Sequence, residues 1–269
     1  MSGYPFVTWR LLRSVPAGGA INMALDEAIL RAVAAGRVLP TLRLYAWEPA
    51  CLSLGRAQSI ADVDADALRA AGLGLVRRST GGKAILHADE LTYSVVAPEA
   101  EPRVAGSIVE SYRRLSAGLV RGLEQLGAAG VAADQRWGGR RLEGPVCFET
   151  PSDYEVTFDG RKLVGSAQMR SLGVVLQHGA LPLCGDVARI CRFLIPRADP
   201  ARVRARAITI EQVLGRQAAW SEAAAAFATG FAESLNLHLK PGALTKDEVA
   251  WAEELRVKKY ATHEWTYKV

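Results

Sequence analysis

The spacing of apolar side chains divides the chain into helices and strands. Residues 18–37, GGAINMALDEAILRAVAAGR, place apolar residues at helical intervals and stop near Gly36, which predicts a helix. Residues 90–98, ELTYSVVAP, alternate apolar and polar positions as a half-buried strand does. In residues 153–170, DYEVTFDGRKLVGSAQMR, Asp159 and Gly160 separate two strand-like runs, so we expect a β-hairpin there.

The order of these elements indicates the fold class. Further strands are predicted at 40–47, 50–55, 73–79 and 173–183, a short one at 235–239, and a long helix at 106–129. After Gly185 the pattern is mainly helical. Strands gathered in the first two thirds, with helices between and after them, favour an α+β fold with a mixed or antiparallel sheet and flanking helices. We expect a catalytic domain over 1–240 and a helical C-terminal extension over 241–269, following the KPGALT segment.

Composition limits the compartment and the partners. With 269 residues and 49% hydrophobic content the chain can bury a substantial core. The net charge of +5 and pI of about 9.1 suit either an acidic partner or an ordinary basic surface. The sequence shows no signal-peptide pattern and no apolar run of membrane-spanning length, so we expect a cytoplasmic protein with reduced thiols and no membrane partner.

A glycine-centred stretch, RRSTGGKAILHADELTYSV at residues 77–95, is the first candidate for a binding site. It lacks the glycine and hydroxyl positions of a P-loop, and the chain has no G-x-G-x-x-G dinucleotide fingerprint. Two glycines allow close backbone approach to a ligand, and Arg77, Arg78 and Lys83 suit an anion or a polar head group. The alternative for the two arginines is a solvated pair at the end of a strand.

A second stretch, CFETPSDYEVTFDGRKLVGSAQMRSLGVVLQHG at residues 147–179, begins at a cysteine between two prolines. A loop on a rigid sheet is a common position for a reactive group, so Cys147 is the candidate nucleophile. Cys51, Cys184 and Cys191 have the apolar neighbours of structural thiols. A zinc site formed by His178, Cys184 and Cys191 is the alternative, but the close-spaced pairs typical of zinc ligands are missing, so we predict no metal.

The two motifs together resemble the lipoate and biotin protein ligase superfamily, and within it the cysteine-dependent octanoyltransferases of lipoate assembly. The resemblance runs from NMALDEAIL to LPL, and the terminal KKYATHEW also fits. It implies transfer of an octanoyl group from acyl carrier protein to a lysine of a lipoyl-domain protein such as the glycine cleavage H protein. It implies that Cys147 and Lys162 are catalytic. The implied pocket residues are Arg78, Ser79, Thr80, Gly81, Gly82, His87, Gly165, Ser166, Ala167, Gln168 and His178.

Residue choices within the motifs favour the transferase over the ATP-dependent ligases. Ligases of this family usually carry a third glycine where this chain has Lys83, and they do not need a cysteine at position 147. A thioester donor is already activated, so no cofactor is expected. A thiol is only about 3% ionised at neutral pH, and Lys162 is suited to stabilise the thiolate or the oxyanion. His87 and His178 are both candidates for the base.

A non-enzymatic alternative comes from the arginine-rich segment RADPARVRARAIT at residues 197–209, which fits a nucleic-acid-binding module. The segment has no interleaved aromatic residues. Its charges are better explained by a solvated face or by a docking patch for an acidic carrier protein, so we expect no nucleic-acid partner.

Overall fold

The computed structural model of the chain describes residues 3–133 and 155–269. The strands in chain order are β1 Val7–Arg13, β2 Thr41–Tyr45, β3 Cys51–Leu54, β4 Gly74–Arg77, β5 Ile85–His87, β6 Glu90–Pro98, β7 Val131–Ala133, β8 Val156–Phe158, β9 Arg161–Ser171, β10 Val174–Pro182 and β11 Leu237–Pro241. The helices are α1 Gly19–Ala34, α2 Ala65–Ala70, α3 Ile108–Gln125, α4 Pro200–Arg206, α5 Ile210–Leu214, α6 Trp220–Leu235, α7 Lys246–Leu255 and α8 His263–Thr266. Short 3-10 turns cover Ile60–Asp62 and Val187–Phe193, and a π-helical turn covers Arg256–Tyr260.

Eight strands form one mixed sheet in the order β11-β1-β2-β6-β10-β9-β8-β7. β1 runs parallel to both β11 and β2, and the remaining pairs are antiparallel. β4, β3 and β5 form a second, smaller sheet. The predicted α+β class with a mixed sheet and flanking helices is therefore confirmed.

Helices cover both faces of the large sheet at its centre. On one face α3 and α6 pack together and contribute Leu119 and Phe227 to the main core. On the other face α1 lies over β6 and β10, with α7 packed against it. The prediction of a half-buried strand at 90–98 is wrong in its burial, because helices cover both faces of β6 and bury its polar side as well. Tyr93 meets the Phe227 ring on the α6 side, while Ser94 hydrogen-bonds Asp26 of α1.

Three strands were absent from the sequence prediction: β1, β5 and β7. β5 and β7 have three residues each, and the alternation of β1 ends where Leu11 is followed by Leu12. The short strand expected at 235–239 lies at Leu237–Pro241 and extends across the predicted domain boundary. The division at residue 240 remains a prediction.

A helix can span a membrane only if it is long enough and sufficiently apolar. Among residues 3–133 and 155–269, no helix combines the length and the apolar character needed to span a bilayer.

Candidate active site

The glycine-centred loop connects β4 to β5 within the small sheet, and two buried arginines fix its shape. Arg78 donates hydrogen bonds to the carbonyls of Gly81 at 2.8 Å and Lys83 at 2.8 Å. The Arg77 guanidinium donates to the carbonyls of Gly55 at 2.9 Å and Thr266 at 3.0 Å. Because both side chains are at most 1% exposed, the alternative of a solvated surface pair is wrong.

The turn of the loop depends on contact between two glycines. A Cβ added to Gly55 would lie 1.9 Å from the Gly82 carbonyl oxygen, so this contact excludes any side chain. Gly82 itself has φ of 93°, a left-handed conformation that favours glycine. Gly81 faces open space. The loop is therefore held tightly on its inner side and is open at its tip.

His178 projects from β10 and hydrogen-bonds the loop directly. Its Nε2 lies 2.7 Å from Thr80 Oγ1, and its Nδ1 lies 3.6 Å from Asp26 Oδ2. Burial lowers the pKa of His178 although Asp26 opposes the shift, so the imidazole is neutral at pH 7. A neutral ring held between a carboxylate and a hydroxyl is suited to accept a proton or to orient Thr80.

Asp26 is a buried anion that the sequence analysis did not select. Its carboxylate accepts hydrogen bonds from Arg43 at 2.8 Å, Tyr45 at 2.9 Å and Ser94 at 2.9 Å. Burial raises the pKa of Asp26, but Arg43 and His178 outweigh it, so the pKa lies below its usual value. A signal was present in the sequence: an aspartate stands among the apolar residues of α1, and an arginine stands inside an apolar strand.

We expect Asp26→Asn to lower the free energy of unfolding by about 3–5 kcal/mol, because it leaves the Arg43 charge buried without its counter-ion. Urea unfolding at pH 7 measures this loss. Asp247 is the matched control, since it pairs with Arg37 at 2.5 Å on the surface with both side chains 56% exposed. Asp247→Asn should cost at most about 1 kcal/mol. Equal losses in the two variants would contradict the assignment.

The same pair has a defined pH dependence. Because the pKa of Asp26 is depressed in the folded state, its stabilising contribution is fully present above the unfolded pKa of about 3.9 and is lost as the pH falls below it. Asp26→Asn should therefore flatten the acid limb of the stability curve.

His87 occupies a second buried relay behind the loop. Its Nε2 lies 2.8 Å from Ser53 Oγ, and its Nδ1 lies 2.8 Å from Glu90 Oε1. The Trp47 ring stacks on the imidazole with centroids 3.9 Å apart. This is a serine-histidine-carboxylate chain that sequence spacing did not reveal, because three strands bring its members together.

Ser53 of this chain is not placed to act as a nucleophile. It is fully buried and accepts a hydrogen bond from Arg78 Nη1 at 3.0 Å. The relay therefore supports the arginine that shapes the loop. The Trp47 ring covers one face of His87, and the Ser53 hydroxyl that His87 contacts holds Arg78, which favours a supporting role over direct contact with a substrate.

The GSAQ motif of β9 divides between the two faces of the sheet. Ala167 pairs with His178 across the strands, and Gly165 pairs with Ala180, so both lie on the His178 face. Ser166 and Gln168 lie on the opposite face. Their partners are Tyr93 Oη, 2.7 Å from Ser166 Oγ, and Ser111 Oγ, 2.7 Å from Gln168 Nε2.

Lys162, at the start of β9, is buried with a carboxylate. Its side chain is 5% exposed and its Nζ donates a hydrogen bond to Glu155 Oε1. Lys162 is therefore not a solvent-facing strand residue. Its predicted partner, Cys147, lies outside the residues that the structure describes, so their pairing remains a prediction.

The C-terminal segment contacts the loop from outside. Tyr260 Oη lies 2.5 Å from Ser79 Oγ and donates to Glu27 Oε2 at 2.6 Å. Trp265 Nε1 donates to the Arg77 carbonyl at 2.8 Å. Ser79 is thus held by the chain's last turns, and the terminal segment contributes to the position of the loop.

The three described cysteines are poor nucleophiles. Cys51 is 1% exposed, and burial raises its pKa to about 12. Cys191 is 3% exposed, and burial raises the pKa of the half-buried Cys184. In the described ranges no three His, Cys, Asp or Glu side chains are grouped closely enough to hold a metal ion.

Comparison with known proteins gives consistent matches over most of the chain. The family model of the lipoyl protein ligase A/B catalytic domain matches residues 19–232. Octanoyltransferase LipM of Kyrpidia tusciae is 46% identical, covering 97% of this chain and 99% of its own, and that of Bacillus subtilis is 38% identical, covering 97% and 98%.

Solved structures agree with these matches. A lipoate-protein ligase A bound with ATP superposes with a TM-score of 0.81 at 25% identity, covering 97% of this chain and 98% of its own. A bipartite lipoate protein ligase of Thermoplasma acidophilum, studied with its E2 lipoyl domain, superposes with a TM-score of 0.79 at 26% identity, covering 97% and 96%.

Proposed function

The chain belongs to the lipoyl protein ligase A/B catalytic-domain family and is an octanoyltransferase, and from this premise we propose the donor, the acceptor and the route of its reaction. The donor is octanoyl-acyl carrier protein. The acceptor is a lysine of a lipoyl-domain protein such as the glycine cleavage H protein. The acyl group passes through a thioester on Cys147. Membership of an enzyme family sets aside the nucleic-acid-binding alternative.

The proposed route through Cys147 is supported by the burial of the other three cysteines and by its effect on their reactivity. The chain has four cysteines. Two of them are at most 3% exposed, and burial raises the pKa of Cys184. A nucleophilic thiol must reach substrate and ionise near neutral pH, so Cys147 is the thiol that we assign to this role.

In the first step the Cys147 thiolate attacks the donor thioester, and the phosphopantetheine thiolate leaves and takes up a proton. In the second step the acceptor lysine attacks the enzyme thioester as the neutral amine. The C–N bond of the amide forms, the C–S bond breaks, Cys147 leaves as the thiolate, and the amine gives up one proton. Lys162 supplies positive charge to the oxyanion of each tetrahedral intermediate. His178, neutral and hydrogen-bonded to Thr80, is the better placed of the two histidines to receive the lysine proton.

Octanoyl transfer from the carrier protein to the acceptor should proceed at full rate without nucleotide, because a thioester carries its own activation. The reaction is followed by the mass of the acceptor, with free octanoate and ATP as the comparison. The ligase alternative is favoured by the similarity to the ATP-bound lipoate-protein ligase A. Faster transfer from octanoate with ATP than from the thioester would establish that alternative instead.

A further inference from the structure

A group of three cations surrounds the open tip of the glycine-centred loop. Arg56 follows Gly55, and Lys83 follows Gly82, so the close contact between these glycines makes Arg56 and Lys83 near neighbours along the two backbone segments. The backbone amide of Arg56 also donates to the Thr80 carbonyl at 2.8 Å. We refer to Arg56, Lys83 and Lys268 as the cationic rim.

The C-terminal segment brings Lys268 to this rim. Lys268 Nζ lies 3.5 Å from the centroid of the Trp265 ring, whose indole nitrogen donates to the Arg77 carbonyl. At the end of the chain, the Val269 carbonyl accepts a hydrogen bond from the Ile60 amide at 2.8 Å. Burial and then the charges of Arg56, Arg77 and Lys259 lower the pKa of Lys268, in keeping with a shared neighbourhood.

The three cations of the rim have no ion-pair partner among the described residues. No side-chain hydrogen bond or ion pair joins Arg56, Lys83 or Lys268 to another residue of 3–133 or 155–269. Arg204, by contrast, is paired with Asp186 at 2.8 Å. The rim therefore retains the capacity to bind an anion.

The residue beneath the rim reinforces this capacity. Arg77 is fully buried, its hydrogen-bond acceptors among the described residues are backbone carbonyl oxygens, and its Nη2 has no hydrogen-bond partner there. A guanidinium that is balanced by carbonyls alone keeps its full positive charge. That charge lies on the last residue of β4, at the base of the loop.

The backbone of the turn also presents donors. The amides of Gly81, Gly82 and Lys83 donate to no acceptor in the part of the chain that the structure describes. Gly81 has open space beside it. Successive free amides in a turn with a left-handed glycine form a concave anion site, and flanking cations strengthen it.

We propose that the cationic rim binds the phosphate ester of the phosphopantetheine arm that carries the acyl group. This rests on the proposed thioester donor. The rim is small and centred on two glycines, which suits one compact anion rather than the spaced carboxylates of an acidic helix. Because the arm is long and extended, a phosphate held at the rim leaves the thioester free to reach into the pocket.

The test compares octanoyl-phosphopantetheine with octanoyl-pantetheine, which differ only in the phosphate. Wild-type enzyme should use the phosphorylated donor with a kcat/KM at least about tenfold higher than that for octanoyl-pantetheine. This ratio corresponds to the free energy of one hydrogen bond to a charged group. Arg56→Gln with Lys268→Gln should bring this ratio close to one. Lys240→Gln is the matched control, because Lys240 is an exposed cation on the edge strand β11, and it should keep the wild-type ratio.

Three outcomes would overturn the proposal. A wild-type ratio near one would show that the phosphate is not bound. An unchanged ratio in the Arg56→Gln/Lys268→Gln variant would place the phosphate elsewhere. A much higher kcat/KM for octanoyl-coenzyme A than for octanoyl-phosphopantetheine would mean that the rim binds the nucleotide half of that donor. If the proposed thioester donor itself were wrong, neither octanoyl-phosphopantetheine nor octanoyl-pantetheine would react, and this result differs from all three outcomes above.

Discussion

Cys147→Ser enzyme, mixed with octanoyl-acyl carrier protein, should form no acyl-enzyme and transfer no octanoyl group within the detection limit. The substitution exchanges one sulfur for oxygen and should leave the fold intact. A thiol with pKa of about 8.5 has an accessible anion near neutral pH, whereas an unassisted serine hydroxyl has essentially none. Intact-mass measurement should show an octanoyl adduct on the wild-type chain and none on the variant.

Cys184→Ser is the matched control for this experiment. Cys184 is half-buried, and burial raises its pKa, so its removal should leave the adduct and the transfer rate in place. Loss of the adduct in Cys184→Ser together with full activity of Cys147→Ser would assign the nucleophile to Cys184. An active Cys147→Ser enzyme without any adduct would exclude the covalent route.

The large elements could be predicted because their signals are local. The α1 periodicity, the alternation along β6 and the turn at Asp159 and Gly160 depend on neighbours in sequence, and the structure contains all three. β1 was missed because its alternation of apolar and polar residues covers only residues 7–11 and ends at the adjacent apolar residue Leu12. The parallel pairing of β1 with β11 joins residues more than two hundred positions apart, which no local pattern encodes.

The candidate site was partly predictable for a related reason. The motifs identified the loop and the hairpin, since glycines and charged residues cluster there in sequence. The supports of the loop are distant in sequence: Asp26 approaches His178 from α1, and Tyr260 approaches Ser79 from the C-terminal segment. A buried polar side chain depends on partners from other elements, so its burial follows from the tertiary structure.

The burial of Arg77 and Arg78 also depends on tertiary contacts and could not be predicted from the local sequence. In sequence, Arg77 and Arg78 at a strand end fit both an anion site and a solvated pair. In the structure they bind backbone carbonyls and define the shape of the turn, while Arg56 and Lys268, which carry no motif, supply the exposed charge. An arginine that stands out in a sequence motif can thus have a structural role. The exposed positive charge near the loop can come from residues outside the motif.

Because Lys162 is buried, an experiment on its catalytic role must also measure the stability of each variant. Removing the ammonium leaves Glu155 buried without this partner, since the Glu155 side chain is 8% exposed. Breaking such a pair costs about 3–5 kcal/mol of stability whatever the catalytic role. A loss of activity in Lys162→Ala is informative only when the folded fraction is measured alongside it, and Glu155→Gln is the matched variant that breaks the same pair but keeps the positive charge.

Lys162→Ala should therefore lower the single-turnover rates of acylation and of transfer by roughly a hundred- to a thousandfold per folded molecule, the effect of removing one oxyanion donor. The half-maximal pH of acylation should also rise, because the Cys147 thiolate loses a neighbouring cation. Glu155→Gln should lose comparable stability in urea unfolding yet keep acylation within about tenfold of wild type, since the ammonium remains. If both variants lost stability equally and kept their rates and pH profiles, Lys162 would serve the fold alone and another group would have to stabilise the oxyanion.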